Sequence, residues 1–259
     1  MSKLRHIKKK YLFKEAKLPI QSGKPILKVD KTDSQTIKKN KSNKVPFLVT
    51  SDKEYIRGVF YNYNGKHTVL PIPDLTLVYY ESAYQSNMVR KEKEKALFKK
   101  ALSEDEVTED YGNELYHYFG SASSCIISMF TSIESFINHI IPDNSNFQKV
   151  LKNKTEIYTK KQIQEHFKFW DKVKDVLPHF YDNKNFFSKS TPTNSHIVNL
   201  KNLRDEIVHT KSEIDYSTQE ELMSRLLKFK YDECLMAIRK FMNYYKENYI
   251  TECDCGSDF

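Results

Sequence analysis

Asn199-Leu200-Lys201-Asn202-Leu203-Arg204-Asp205-Glu206-Ile207-Val208-His209 carries two patterns at once. With Ile197 just upstream, Leu200, Leu203 and Ile207 recur three and four residues apart, the period of one buried helix face. Set among and beyond them are Arg204, Asp205 and His209, so the end of this helix brings charged and titratable groups close to a core. Asn194 or Ser195 is placed to cap its start, because a short polar side chain there can accept a hydrogen bond from a free helical N–H.

Working outward, the same period predicts three further core helices. Within 110–141, Leu115, Phe119, Ile126, Met129, Phe130, Ile133, Phe136, Ile137 and Ile140 share a spacing that Pro142 ends, with a break expected near Gly120. A second helix is expected over about 159–177, where Ile163, Phe167, Trp170, Val173 and Leu177 precede Pro178. The last is expected from about Thr218 to Tyr249, with Leu222, Leu226, Phe229, Tyr231, Cys234, Ile238, Phe241 and Tyr245 near the core stripe. Upstream, 91–102 mixes acids and bases at helical spacing on a solvated face, and Ser103 with Glu106 forms a capping box for the next start.

The N-terminal part follows a different period. Tyr55–Tyr63, then Asn64-Gly65, then 66–72 is a hairpin pattern, since Asn-Gly supplies the two positive-φ residues of a type I′ turn. Residues 46–50 are expected as a short strand and 75–80 (LTLVYY) as another, making a small antiparallel sheet. Residues 21–44 are rich in Ser, Asn, Thr and Lys and are expected as a mobile segment. The fold class is therefore α+β, mainly α: a basic arm over 1–44, a β-hairpin module with a linking helix over 45–105, and a helical domain over 106–259.

Charge divides the chain the same way. The formal net charge is +8, yet residues 1–44 hold fourteen Lys and Arg against three acids, so the other 215 residues sum to −3. A basic arm suits phosphate backbones, with Arg5, Lys8, Lys9 and Lys10 as the candidate nucleic-acid contacts. The blander alternative is a solvated tail. The four cysteines fit no disulfide framework, the start has no apolar core of a signal peptide, and no stretch approaches the ~20 apolar residues of a membrane span. A cytoplasmic chain without membrane partners is expected. Cys253-Asp254-Cys255 lacks a second pair at finger-like spacing, no H-E-x-x-H occurs, and six glycines leave little room for a phosphate loop. Neither a metal nor another cofactor is expected.

An arginine and a histidine at this spacing suit RNA cleavage. Histidine titrates near neutrality and can take a proton from a 2′-OH or return one to a leaving 5′-oxygen. Arginine, always charged and forked, can hold the scissile phosphate and offset developing charge. A five-residue offset rotates the second side chain by about 140° on an ideal helix, so one chain does not place both on one narrow face. Arg204-Asp205-x-x-x-His209 resembles the motif of HEPN domains, four-helix units marked by an arginine, usually followed by Asn, Asp or His, with a histidine four to six residues later. The order of a long first helix, an interrupted middle, a motif helix and a long last helix is similar too, over roughly 106–259.

That resemblance implies a homodimer in which the motifs of two protomers converge on one cleft. Arg204 and His209 would then be catalytic, and Asp205 would orient a neighbour. Glu134 and Asn138, four apart on the first helix, would support the site. The implied activity is a metal-independent endoribonuclease leaving 2′,3′-cyclic phosphate and 5′-OH ends on tRNA or mRNA. The implied setting is a toxin or effector of antiphage defence or a toxin–antitoxin pair, restrained by an inhibitory or sensor partner. The tyrosine two residues after the histidine in HEPN toxins controlled by nucleotidyl transfer is absent, since Thr210-Lys211 follows His209. The alternative is a non-catalytic nucleic-acid-binding or dimerisation subunit of a larger defence complex, in which the hairpin aromatics Tyr55, Phe60, Tyr61 and Tyr63 stack on bases. Against this stands the ordinary packing role of alternating aromatics in a hairpin.

Overall fold

The computed structural model describes residues 26–28, 34–40, 45–49, 55–103, 105–209 and 217–253. Its described part is mainly helical with two small sheets. Contacts divide it into two compact units, one within Lys9–Val78 and the other from Tyr79 onward.

The first unit is a four-stranded sheet ordered β1 (Ile26–Lys28), β2 (Val45–Val49), β3 (Tyr55–Tyr63) and β4 (Lys66–Pro71). The predicted hairpin is there: Tyr63 pairs with Lys66, and Asn64 (φ 48°) and Gly65 (φ 83°) make the turn in the left-handed region. Two features were not expected. Residues 21–44, read as mobile, contain β1, which pairs parallel to β2, and the helix α1 (Ser34–Asn40). Ile37 of α1 is buried, as are Ile56 and Val69 on the sheet. Gly58 is needed for this packing, because a Cβ there would collide with Val69 Cγ1 and crowd the Leu70 carbonyl oxygen at 3.2 Å.

The stretch 75–80 is not a strand. It begins α2 (Leu75–Ala101), because Asp74 Oδ1 accepts hydrogen bonds from Thr76 N at 2.8 Å and Leu77 N at 3.4 Å, supplying the missing acceptors of a helix start. Burial then recurs at helical spacing along α2, at Thr76, Tyr80, Ala83, Tyr84, Asn87 and Arg90.

In the second unit the expected break at Gly120 is absent: α3 (Glu109–Ile140) is continuous. Its N-cap is Thr108, whose hydroxyl accepts from Tyr111 N, rather than the Ser103/Glu106 pair, and the Ser103 hydroxyl instead donates to Lys99 O. A hairpin that the sequence reading missed follows, β5 (Asn146–Val150) with β6 (Thr155–Thr159). The expected second helix is divided into α4 (Lys160–His166), α5 (Phe169–Asp171), a π-helical turn (Lys172–Val176) and α6 (Leu177–Phe180). The motif helix is α7 (Pro192–Val208). The expected last helix is two, α8 (Ser217–Lys228) and α9 (Tyr231–Tyr245), parted at Lys230, whose ψ of 75° is not helical.

Helix α3 is the centre of the second unit, with α7, α8 and α9 packed on it. From Tyr79 on, α2 joins them: the Tyr80 hydroxyl donates to Leu235 O at 3.0 Å, and Cys125 Sγ to Ala83 O at 3.3 Å. Phe241 of α9 joins Phe136, Phe186, Phe187 and Tyr245 in an aromatic cluster that ties the loop before α7 to the core. No helix among the described residues is long and apolar enough to cross a membrane.

Replacing Gly58 with Ala is expected to destabilise the sheet unit by roughly 1–3 kcal/mol, the usual range for overpacking. Hydrogen exchange should then speed up at β3 and β4 amides while those of α3 and α9 stay protected.

Candidate active site

Helix α7 starts one turn earlier than its sequence suggested. Thr191 is the N-cap, its hydroxyl accepting from Asn194 N at 3.1 Å, and Pro192 follows at the first helical position, where its missing N–H costs nothing. Asn194 and Ser195, expected as caps, lie inside the helix. Asn194 is buried and its Nδ2 donates to Phe186 O at 3.0 Å and Lys189 O at 2.6 Å, which anchors the preceding loop. Ile197, Leu200 and Leu203 are fully buried, whereas Ile207 is only half-buried.

This seating aims Arg204 at α3. Its guanidinium carbon lies 5.0 Å from the Phe130 ring centroid, its NH2 is 4.0 Å from Glu134 Oε2, and its NH1 donates to Asp205 Oδ1 at 3.1 Å. A cation over an aromatic face beside two carboxylates is held in one orientation, which a flexible surface arginine is not. Asp205 also accepts from Lys201 Nζ at 2.6 Å. Burial pushes the Asp205 carboxyl up, but the hydrogen bonds from Lys201 and Arg204 together hold it below the usual carboxylate range. Next to it, Glu206 is paired with Arg225 of α8.

Glu134 and Asn138 do share a face of α3, and Phe130 continues it one turn earlier. The group that links them was missed in the sequence. Lys172, on the π-helical turn, is buried at 7% relative exposure, and its Nζ donates to Asn138 Oδ1 at 3.0 Å and to Gln164 O at 3.2 Å. Burial lowers its pKa below the ordinary lysine value, against the upward pull of the Glu134 carboxylate. A sequence clue existed, since Lys172 lies three residues after Phe169 and four before Val176, both buried. Glu134 therefore lies 4.0 Å from the Arg204 guanidinium and within the field of Lys172.

His209 is the C-cap of α7, with φ −113° and ψ 43°, and its backbone N–H donates to Asp205 O at 2.9 Å. Its imidazole is exposed and makes no hydrogen bond or ion pair among the described residues. The fold thus gathers Arg204, Asp205, Glu134 and Asn138, with Lys172, into one polar strip, and leaves His209 at its solvent edge. Arg5, Lys8, Lys9 and Lys10 lie outside the described residues, as does Cys255. The buried thiols of Cys125 and Cys234 are pushed up by burial. An open depression lined by Phe186, Arg239, Asn243 and Tyr244 is at the other end of α7, roughly 15 Å of helix separating Asn194 from Arg204.

Comparison of the chain with protein-family models, with curated proteins and with solved structures finds no match in any of the three.

Replacing Lys172 with Ala strands the Asn138 side chain and leaves Glu134 with one cation. A loss of roughly 1–3 kcal/mol is expected in urea unfolding. A second expectation concerns pH. Because the folded-state pKa of Asp205 is depressed, its contribution is present above the unfolded carboxylate value and disappears as pH falls through the folded one. The melting temperatures of wild type and Asp205→Asn should differ at neutral pH and converge in acid.

Proposed function

We propose that the chain is a metal-independent endoribonuclease of HEPN type, acting as a homodimer on tRNA or mRNA. The observation that carries this reading is an arginine fixed by Phe130, Glu134 and Asp205, five residues ahead of an exposed histidine that ends the same helix. Arg204 would hold the scissile phosphate. The 2′-OH attacks that phosphorus as a His209 imidazole takes its proton, the O2′–P bond forms, the P–O5′ bond breaks, and an imidazolium returns a proton to the 5′-oxygen. The products are a 2′,3′-cyclic phosphate and a 5′-OH.

One base and one acid are needed on opposite sides of the phosphorus, and one chain offers a single exposed His209 with no hydrogen bond to its own Arg204. Two copies would supply both roles. Asp205 and Glu134 orient the guanidinium, and Lys172, bonded to Asn138, adds a second positive field at Glu134. Restraint by an inhibitory or sensor protein, in antiphage defence or a toxin–antitoxin pair, would follow from an RNase of this kind. That no hydrogen bond joins Arg204 and His209 within one chain, among the described residues, favours a second reading, a non-catalytic nucleic-acid-binding or dimerisation subunit of a larger assembly.

Digestion of total tRNA and a generic mRNA in EDTA separates the two. Wild type is expected to cut and leave cyclic-phosphate ends. His209→Ala should lose about 10²–10⁴ in rate, the usual contribution of a general acid–base group. Arg204→Ala should lose about 10²–10³. Cutting unchanged in either variant removes that residue from the mechanism, and no cutting by the dimer supports the binding subunit.

A further inference from the structure

The β3–β4 hairpin has two unlike faces. Directly paired residues point the same way, so Ile56, Gly58, Phe60 and Val69 form one face and Val59, Tyr61, Tyr63, Lys66, Thr68 and Leu70 the other. On the first, Ile56 and Val69 are buried, and α1 packs on β4. On the second, Val59, Leu70, Tyr61 and Tyr63 are 51%, 46%, 52% and 64% exposed. Among the described residues, the side chains of Tyr61 and Tyr63 make no hydrogen bond and no ring contact. The aromatics of this hairpin therefore do different jobs: Phe60 belongs to the packed face, and the two tyrosines lie largely exposed on the other.

The charge of this face is of one sign. Arg57 lies on it two residues before Val59, Lys66 is paired with Tyr63, and the sequence holds no Asp or Glu from Tyr55 to Pro73. Residues 1–44 carry a net +11, with Asp52, Lys53 and Glu54 between them and the hairpin. A protein partner recognised through exposed tyrosines does not require one sign of charge. A phosphate backbone does, and bases offer flat faces to tyrosine rings. Alternate residues on a strand are about 6.6 Å apart, so successive rings present separate stacking platforms along an extended strand.

We propose that this face binds single-stranded nucleic acid, with Tyr61 and Tyr63 stacking on bases, Val59 and Leu70 forming the apolar floor, and Arg57 and Lys66 contacting phosphates. It stands apart from the cleavage reading and holds whether or not the Arg204 strip is catalytic.

The test uses the full chain carrying His209→Ala, so that RNA survives, with fluorescently labelled oligouridylate and oligothymidylate of about 12 nucleotides and a duplex of the same length. Fluorescence anisotropy should show single strands bound more tightly than duplex. Tyr61→Ala with Tyr63→Ala should weaken single-strand binding about tenfold or more, while Tyr61→Phe with Tyr63→Phe, which keeps the rings, retains it. Lys66→Ala should flatten the salt dependence. Far-UV circular dichroism should match across the set. Unchanged binding by the double alanine chain overturns the proposal, as does equal affinity for duplex or no affinity for single strands. A dimer that dissociates in the double alanine chain while single-strand affinity persists also overturns it, and assigns the face to contact between copies.

Discussion

Burial of one stripe of α3 is the constraint from which the helical unit follows. Cys125, Ile126, Met129, Ile133, Phe136 and Ile137 are wholly withdrawn from water, and α7, α8 and α9 pack on this helix. Each large apolar side chain so buried contributes about 1.5–3 kcal/mol, so the stripe outweighs any local preference in the shorter helices around it. A 32-residue helix spans about 48 Å, long enough for its successive turns to serve different neighbours. The turns at Phe130, Glu134 and Asn138 serve the polar strip.

That strip sits where the apolar seal between α3 and α7 ends. Arg204 and Lys172 both lose water there, and each is compensated: Arg204 by an aromatic face and two carboxylates, Lys172 by an amide oxygen, a backbone carbonyl and the field of Glu134. Partly buried charges that are individually satisfied are expensive to remove singly, because each deletion strands its partner. Such an arrangement holds a guanidinium against α3, five residues ahead of an exposed histidine whose imidazole makes no hydrogen bond or ion pair among the described residues.

Much of this could be read from residues. Tyr55–Tyr63 with Asn64-Gly65 marked a hairpin because only certain residues accept positive φ, and α3 and α7 were legible because their apolar residues recur three and four apart over several turns. Spacing alone puts Glu134 and Asn138 on one face of a helix, while their association with Arg204 and Asp205 came only with the HEPN resemblance. Where the reading failed, no local feature carried the answer. The break at Phe229-Lys230 has no Gly or Pro, and Gly120, which does favour a break, lies in a helix held straight by the core on either side. β5 and β6 are joined by Leu151-Lys152-Asn153-Lys154, closed by Leu151 N donating to Lys154 O at 2.8 Å, without the Asn-Gly that marked the first hairpin. Residues 75–80 have strand-forming side chains, yet Asp74 supplies the helix start and the buried face of α2 continues it.

The sequence by itself determined the periods: which segments must be helices with one buried face, where a type I′ turn must fall, and that an arginine and a histidine end the same helix. It also determined the split between a strongly basic first 44 residues and a slightly acidic remainder. Only the tertiary structure decided that Lys172 joins the strip, that Arg204 lies against Phe130, Glu134 and Asp205 while the His209 imidazole is exposed, and that Phe60 lies on the packed face of its hairpin while Tyr61 and Tyr63 lie on the exposed one. The physical reason is one of range. Periodicity and turn chemistry act over a few residues, whereas the partner of a buried charge and the covering of a sheet face come from segments far away in the chain, brought together only when the apolar stripes close.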